Sequence, residues 1–232
     1  MLKLAANTKL GNKFADMARG LQNLVFPPVC IVCDNKFSSD KLPICSSCLS
    51  GLAPLPKIIR SKKDVPESLD DLKIAFLFNE HYRAIVHYLK YREYQSLGHL
   101  IGRKITRILL LSDLVNSVVI PIPLHPIKYR TRGYNQARLI SKGLADQAGL
   151  EINRHIIKRV KNTQSQTTLT KQERRKNMRN AFQVTDDQHD IKKVILVDDV
   201  FTTGSTMDSA ARTLKKSGVK TVIGVASAAP AS

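Results

Sequence analysis

A buried strand that runs into two acidic residues and a hydroxyl-rich turn constrains this chain of 232 residues more than any other segment. Residues 194–197 read Val-Ile-Leu-Val and predict a strand covered on both faces. Two aspartates end the strand, and residues 202–206 read Thr-Thr-Gly-Ser-Thr. Apolar residues at helical spacing follow as far as Gly218, and a second apolar run covers residues 221–226. The segment therefore predicts a right-handed βαβ unit.

The turn of this unit is the first candidate binding site. Ligands of open α/β sheets bind beyond the carboxyl ends of the strands. A turn of Gly, Ser and Thr at a helix N-terminus presents N–H groups and a positive dipole end to a phosphate, while carboxylates accept hydrogen bonds from sugar hydroxyls or lie near Mg²⁺. The pattern predicts a phosphorylated ribose, with an ordinary aspartate-capped turn as the alternative. The candidate binding residues are Asp198, Asp199, Thr202, Thr203, Gly204, Ser205 and Thr206.

Residues 197–206 resemble the motif with which type I phosphoribosyltransferases bind 5-phosphoribosyl 1-pyrophosphate (PRPP). The resemblance implies that Asp198 and Asp199 contact the 2′- and 3′-hydroxyls of the ribose. It also implies that the Thr/Gly/Ser loop holds the 5′-phosphate and that Mg²⁺ accompanies PRPP. Neither a P-loop motif nor a Gly-x-Gly-x-x-Gly dinucleotide motif occurs in the sequence.

All the cysteines of the chain lie close together in two Cys-x-x-Cys pairs, Cys30 with Cys33 and Cys45 with Cys48. Two thiolate pairs predict a tetrahedral, structural Zn²⁺ site. Disulfides and a redox-active pair are the alternatives. The N-terminal stretch has no apolar core of a signal peptide, and we therefore expect a cytoplasmic protein, in which thiols stay reduced.

The charge of the chain favours polyanionic partners. It carries 37 Lys and Arg against 19 Asp and Glu, a formal net charge of +18. Part of the excess is concentrated in residues 154–179, where Glu173 is the one acid. We predict that this stretch contacts nucleic acid, with a merely solvated surface as the alternative. No run of residues approaches the length of an apolar membrane span, and none is expected.

The order of the patterns predicts four parts. Residues 1–26 read as an N-terminal arm or helix, 27–52 as a Cys₄ zinc module, 53–70 as a linker and 71–232 as an α/β domain with a mainly parallel sheet flanked by helices. Within the last part, strands are predicted at 72–78, 118–121, 156–160 and 181–184, and helices at 83–92, 98–111 and about 132–147.

Other segments extend the resemblance. Residues 121–125 read Pro-Ile-Pro-Leu-His and residues 130–137 read Arg-Thr-Arg-Gly-Tyr-Asn-Gln-Ala, which resemble the signature of the ComF/GntX family. Members carry a four-cysteine zinc finger ahead of a type I phosphoribosyltransferase-like domain. The resemblance covers about residues 26–229 and implies a role in natural transformation. There, incoming single-stranded DNA is handled in the cytoplasm alongside a helicase-like competence protein.

The resemblance also implies how catalysis would work. Pyrophosphate leaves PRPP as a nucleophile arrives, so catalysis depends on screening the pyrophosphate charge. Asp198, Asp199 and Arg132 are therefore the candidate catalytic residues. Lys128 and Arg130 are further candidates for neutralising pyrophosphate, with ordinary surface charge as the alternative.

Three polar side chains near this loop are ambiguous in sequence. His125 is expected to be structural, with a catalytic base as the alternative. Asn135 and Gln136 either contact a ligand or cap a helix. No feature specifies an acceptor. The favoured function is therefore a PRPP-binding accessory protein of DNA uptake, and the alternative is an active phosphoribosyltransferase with an unidentified acceptor.

Overall fold

The computed structural model of the chain describes residues 27–37, 42–55, 65–91, 94–161, 173, 178, 180–185 and 190–231. The chain divides into two compact units, residues 1–51 and 52–232. The predicted N-terminal arm and most of the basic stretch after residue 161 lie outside the described residues.

Two cysteine-bearing turns make up most of the described part of the first unit. Val29 pairs with Lys36 in an antiparallel bridge that closes the first turn. The second turn leads into helix α1 (Ser46–Ser50), which begins directly after Cys45. Each Cys-x-x-Cys pair thus lies on a short, hydrogen-bonded piece of backbone.

A four-stranded parallel sheet forms the centre of the second unit, in the order β1-β6-β5-β2. Two further strands, β3 and β4, pair antiparallel as a separate ribbon. The predicted parallel sheet flanked by helices is confirmed, and the antiparallel ribbon is an addition to it. The strands are β1 (Asp71–Leu77), β2 (Val118–Pro121), β3 (Ile157–Arg159), β4 (Phe182–Val184), β5 (Lys193–Val200) and β6 (Thr221–Ala229).

Helices cover both faces of the sheet. Helix α7 and the β3–β4 ribbon pack on the face that carries Val194 and Leu196. Because side chains alternate along a strand, Ile195 and Val197 point to the opposite face, where α3 and α6 pack against β6, β5 and β2. The helices of this unit are α2 (Glu80–Tyr91), α3 (Gln95–Ile105), α4 (Leu111–Leu114), α5 (Pro126–Arg132), α6 (Gln136–Ala148) and α7 (Ser205–Lys216).

The helix predicted over residues 98–111 is wrong at its C-terminal end. Helix α3 stops at Ile105, and a 3₁₀ turn follows at Thr106–Ile108. Asp113 accepts the Leu110 N–H at 2.8 Å and so starts α4 as a new helix. Leu110 and Leu111 are 60% and 77% exposed as a result.

The helix predicted from about residue 132 begins later, at Gln136, because Arg132 is the last residue of a separate helix, α5. Gly133 adopts a left-handed backbone, with φ 76°, and ends α5 before α6 begins. Helix α5 was not predicted because its first residue, Pro126, reads as a strand terminator, although proline is equally suited to the first position of a helix.

The predicted linker, residues 53–70, belongs to the second unit, and parts of it pack within that unit. Pro54 pairs antiparallel with Phe76 of β1. Leu69 belongs to the buried core, and Val65 packs against that core. Among the described residues, no helix is both long enough and apolar enough to cross a membrane.

Candidate functional site

The two acidic residues lie at the carboxyl edge of the sheet, at the end of β5. The apolar run before them is fully buried, which fixes the strand between β2 and β6. Asp198 Oδ1 accepts the Asp199 N–H at 2.9 Å, and Asp199 Oδ1 accepts the Val200 N–H at 2.8 Å. The Ser227 hydroxyl, on β6, donates to the Asp199 carbonyl. Neighbouring backbone therefore holds both acids in place.

A lysine that the sequence did not single out pairs with this diacid. Lys90 Nζ, in the last turn of α2, lies 3.1 Å from Asp199 Oδ2. The two side chains are 24% and 18% exposed. The pair is therefore only partly screened by water, and Lys90 acts as the counterion of the second carboxylate.

The two acids have opposite pKa shifts. Burial, followed by the neighbouring Asp199 charge, raises the pKa of Asp198 well above its ordinary value. Burial also opposes ionisation of Asp199, but the Lys90 ammonium and the Val200 N–H outweigh it and lower the pKa of Asp199. Environments that shift the pKa values of two adjacent carboxyl groups in opposite directions are typical of functional sites.

The turn after the acids needs a glycine at its centre. Gly204 has φ 72°, and a Cβ there would lie 2.6 Å from Phe201 and 2.7 Å from Pro66. No side chain caps α7 at this residue, and the hydroxyls of Thr203 and Ser205 lie 2.8 Å apart. The turn thus leaves the N-terminus of a twelve-residue helix without a side-chain acceptor.

Acids, hydroxyls and cations meet in one cleft of about 190 Å³. Five of the predicted site residues line it: Arg132, Asp198, Asp199, Thr202 and Thr206. The remaining three, Thr203, Gly204 and Ser205, form the turn beside the cleft and are not among its lining residues.

Four basic side chains line the same cleft against two acids: Lys90, Lys128, Arg132 and Arg159. Burial, and then the nearby Arg159, Arg132 and Lys90 charges, lowers the pKa of Lys128. Burial likewise lowers the pKa of Arg159, and Asp198 opposes that shift. The excess of positive charge suits a ligand with several negative charges. Arg130, the other predicted cation, is exposed and does not line the cleft.

Residues 133–136, between α5 and α6, make hydrogen bonds that connect parts of the cleft. The Tyr134 hydroxyl donates to the Leu89 carbonyl at 2.7 Å, which ties α5 and α6 to the residue before Lys90. Gln136 Oε1 accepts from Arg132 Nη1 at 3.2 Å and orients that guanidinium. The hydrogen bonds of Tyr134 and Gln136 thus link the loop that carries Arg132 to the end of α2.

Asn135 and His125 both cap helices. Asn135 accepts the Ala137 N–H at 3.0 Å and donates to the Ile122 carbonyl at 2.9 Å. This resolves its ambiguity in favour of capping, although it also lines the cleft. His125 Nδ1 accepts the Ile127 N–H at 3.3 Å at the start of α5, as expected for a structural residue.

Sequence reasoning missed Lys90 and Arg159 for different reasons. Lys90 is one of many lysines on an amphipathic helix, and its partner is 109 positions away along the chain. Arg159 lies on the short strand β3, is 9% exposed and stacks over Phe182 at 5.7 Å. The available signal for Arg159 was its two-residue spacing from Ile157, which places both side chains on the same, buried face of β3.

The four cysteine sulfurs of the first unit converge. All lie within 4.8 Å of one another, and Cys33 Sγ is 3.9 Å from Cys45 Sγ. A tetrahedral zinc with bonds of about 2.3 Å separates its sulfurs by about 3.8 Å, so the donor set fits this metal. The cysteines are free thiols, and the Cys45 N–H donates to Cys30 Sγ at 3.4 Å. The four thiols can therefore hold a metal ion.

Comparisons with known proteins agree with this geometry. Residues 130–232 match the model of the phosphoribosyl transferase domain. The matched range is less than half of the 232-residue chain. Every residue of the cleft except Lys90 and those at positions 122–124 and 128 lies within the matched range.

Named relatives extend the match beyond the phosphoribosyl transferase domain. The chain is 41% identical over 106 residues to Competence protein F of Haemophilus influenzae, covering 45% of this chain and 46% of that protein. It is 31% identical over 143 residues to the DNA utilization protein YhgH of Salmonella typhimurium, covering 60% and 63%. It is 32% identical over 101 residues to Competence protein ComFC of Streptococcus pneumoniae, covering 44% and 43%. These relatives confirm the resemblance to the ComF family, although the matches span less than two thirds of their length.

Proposed function

We propose that the cleft at the end of β5 binds PRPP together with Mg²⁺. The observation that carries the proposal is the meeting of a partly buried diacid, the uncapped N-terminus of α7 and four cations at one cleft. Asp198 and Asp199 would accept the ribose hydroxyls, and the turn around Gly204 would receive the 5′-phosphate. Lys128 and Arg132 would face the pyrophosphate, and Mg²⁺ would screen its charge.

In the same proposal, the protein serves DNA uptake in the cytoplasm. The support is the naming of two relatives as competence proteins and of a third as a DNA utilization protein. The strong positive charge of the chain suits single-stranded DNA as a partner, and a helicase-like competence protein is the further partner we propose.

Calorimetric titration of PRPP with Mg²⁺ tests the cleft. We expect binding to the unaltered protein and loss of binding in the Asp198→Asn, Asp199→Asn double variant. Asp190→Asn, an exposed acid outside the cleft, is the matched control and should bind as the unaltered protein does. Equal binding by the double variant, folded by its melting curve, would contradict the proposal.

A transferase activity is the second candidate, because Lys128 and Arg132 line the cleft at the loop where pyrophosphate would be held. Its test is release of pyrophosphate from PRPP in the presence of nucleobase, amine and DNA acceptors. Acceptor-dependent turnover that Arg132→Gln abolishes would favour the transferase. Tight PRPP binding without turnover favours the accessory role.

A further inference from the structure

Three aromatic rings stand in a row where α2 ends and α3 begins. The His87 and Tyr88 rings meet edge-on with centroids 6.0 Å apart. The Tyr88 and Tyr94 rings are tilted with centroids 5.9 Å apart. Tyr94 is 41% exposed, and His87 is exposed as well. We call His87, Tyr88 and Tyr94 the aromatic row.

Two basic residues of α6 lie near the start of α3, where the aromatic row ends. Gly98, one turn beyond Tyr94, lies against α6, because a Cβ on it would be 2.7 Å from the Leu139 Cβ. The neighbouring Arg138 is therefore at the same end of α3 as Tyr94, and Lys142 is one turn further along α6. Both cations are exposed.

The described segment 80–148 has an excess of basic residues, three of which, Lys90, Lys128 and Arg132, line the cleft. The described residues from 80 to 148 include three acids, Glu80, Asp113 and Asp146. Their ten Lys and Arg residues are Arg83, Lys90, Arg103, Lys104, Arg107, Lys128, Arg130, Arg132, Arg138 and Lys142. Such a surface attracts a phosphate backbone, and exposed rings next to it stack on unpaired bases.

We infer that the aromatic row with Arg138 and Lys142 is a binding site for single-stranded nucleic acid. The rings take successive bases, and the two cations follow the backbone. A duplex offers no unpaired base face to the rings, so the site prefers single strands. The inference rests on the proposed handling of single-stranded DNA. It locates that contact away from the basic stretch 154–179, on which the sequence-based prediction relied.

The test is fluorescence anisotropy with a labelled oligothymidylate of about 16 nucleotides, across a salt series. We expect Tyr94→Leu to weaken binding about fivefold or more with an unchanged salt slope, since it removes stacking and no charge. Tyr129→Leu, an equally exposed tyrosine on α5 outside the row, is the matched control and should change binding less than about twofold. Arg138→Gln should lower the salt slope by about one.

Three outcomes overturn the inference. They are no binding of the oligothymidylate, equal losses of affinity in Tyr94→Leu and Tyr129→Leu, and an affinity for duplex DNA of the same length equal to that for the single strand. PRPP titration of the same variants keeps the two proposals apart, because Tyr94 does not line the cleft. If Tyr94→Leu loses DNA and keeps PRPP, both stand. If the unaltered protein binds DNA and no PRPP, the cleft proposal alone fails.

Discussion

Lys90 and Asp199 form an ion pair, 3.1 Å apart, between the end of α2 and the end of β5. The pair joins helix α2, which lies outside the motifs found in the sequence, to Asp199, which belongs to the motif at residues 197–206. The Leu89 carbonyl beside it is the acceptor for Tyr134. The charge balance of the cleft therefore depends on how two segments far apart in sequence are held together.

Lys90→Met should weaken PRPP binding about tenfold or more, because the ligand loses a charged partner and the pKa of Asp199 rises toward protonation. The loss should be larger at acidic pH. Titration calorimetry between pH 5.5 and 8 measures it. Lys90→Arg keeps the charge and should recover part of the affinity, and Lys104→Met, outside the cleft, should have no effect. Unchanged binding by Lys90→Met would contradict this role.

Asparagine substitutions at the two acids should move stability in opposite directions. The folded-state pKa of Asp198 is raised, so its ionisation destabilises the fold as pH rises above the ordinary value of 3.8. Asp198→Asn should therefore raise Tm at neutral pH. The folded-state pKa of Asp199 is lowered, so its stabilisation is present above 3.8 and is lost as pH falls. Asp199→Asn should lower Tm at neutral pH.

Calorimetric melting at pH 4 and pH 7.5 checks both signs, at about 2–4 °C for each kcal/mol in a chain of this size. Both differences should shrink at the lower pH. Shifts of the same sign at neutral pH would mean that Lys90 does not distinguish the two carboxylates.

Tyr134→Phe should cost about 1 kcal/mol of stability, since it removes one donor to the Leu89 carbonyl. PRPP affinity should also fall, because Lys90 and the α5–α6 junction lose their shared anchor. Chemical denaturation and PRPP titration measure the two effects. Tyr129→Phe removes an exposed hydroxyl and serves as the control. A destabilised variant with full PRPP affinity would show that the tie is structural only.

The cysteine cluster should hold about one Zn²⁺ per chain, measured by elemental analysis of the purified protein. Cys48→Ser should lose most of the metal, whereas Ser47→Ala, the adjacent residue in α1, should keep it. Chelation should expose the amides of residues 27–37 and 42–51 to hydrogen exchange and leave those of β5 protected. Equal zinc content in Cys48→Ser would contradict the site.

The features predicted from sequence are those whose cause is local. The strand at 194–197, its acids, Gly204 and the helix after it form one continuous pattern, and the structure has β5, the turn and α7 in that order. The cysteine pairs are equally local, since each supplies two ligands from one turn. Hydrophobic period and turn chemistry are sufficient for such units.

The features missed from sequence depend on tertiary neighbours. Nothing near Lys90 in the chain indicates that it faces Asp199, and nothing near Tyr134 indicates the Leu89 carbonyl. Helix α5 was not predicted because the prolines before it and at its start can either end a strand or begin a helix, and the sequence alone does not distinguish the two. The end of α3 at Ile105 was missed because the apolar residues beyond it continue the helical spacing. In the structure, Asp113 accepts the Leu110 N–H and begins a new helix, α4.

The position of β6 has a consequence for synthesis of the chain on the ribosome. This strand lies between β1 and β5, so one edge of β1 stays open until residues 221–229 have been translated. At ordinary rates of elongation, the time between synthesis of β1 and synthesis of β6 is on the order of ten seconds. Until β6 is made, β2 is the only neighbouring strand that the described sheet offers to β5. Premature termination upstream of β6 would leave two unconnected pieces of sheet with exposed edges, which are prone to aggregate.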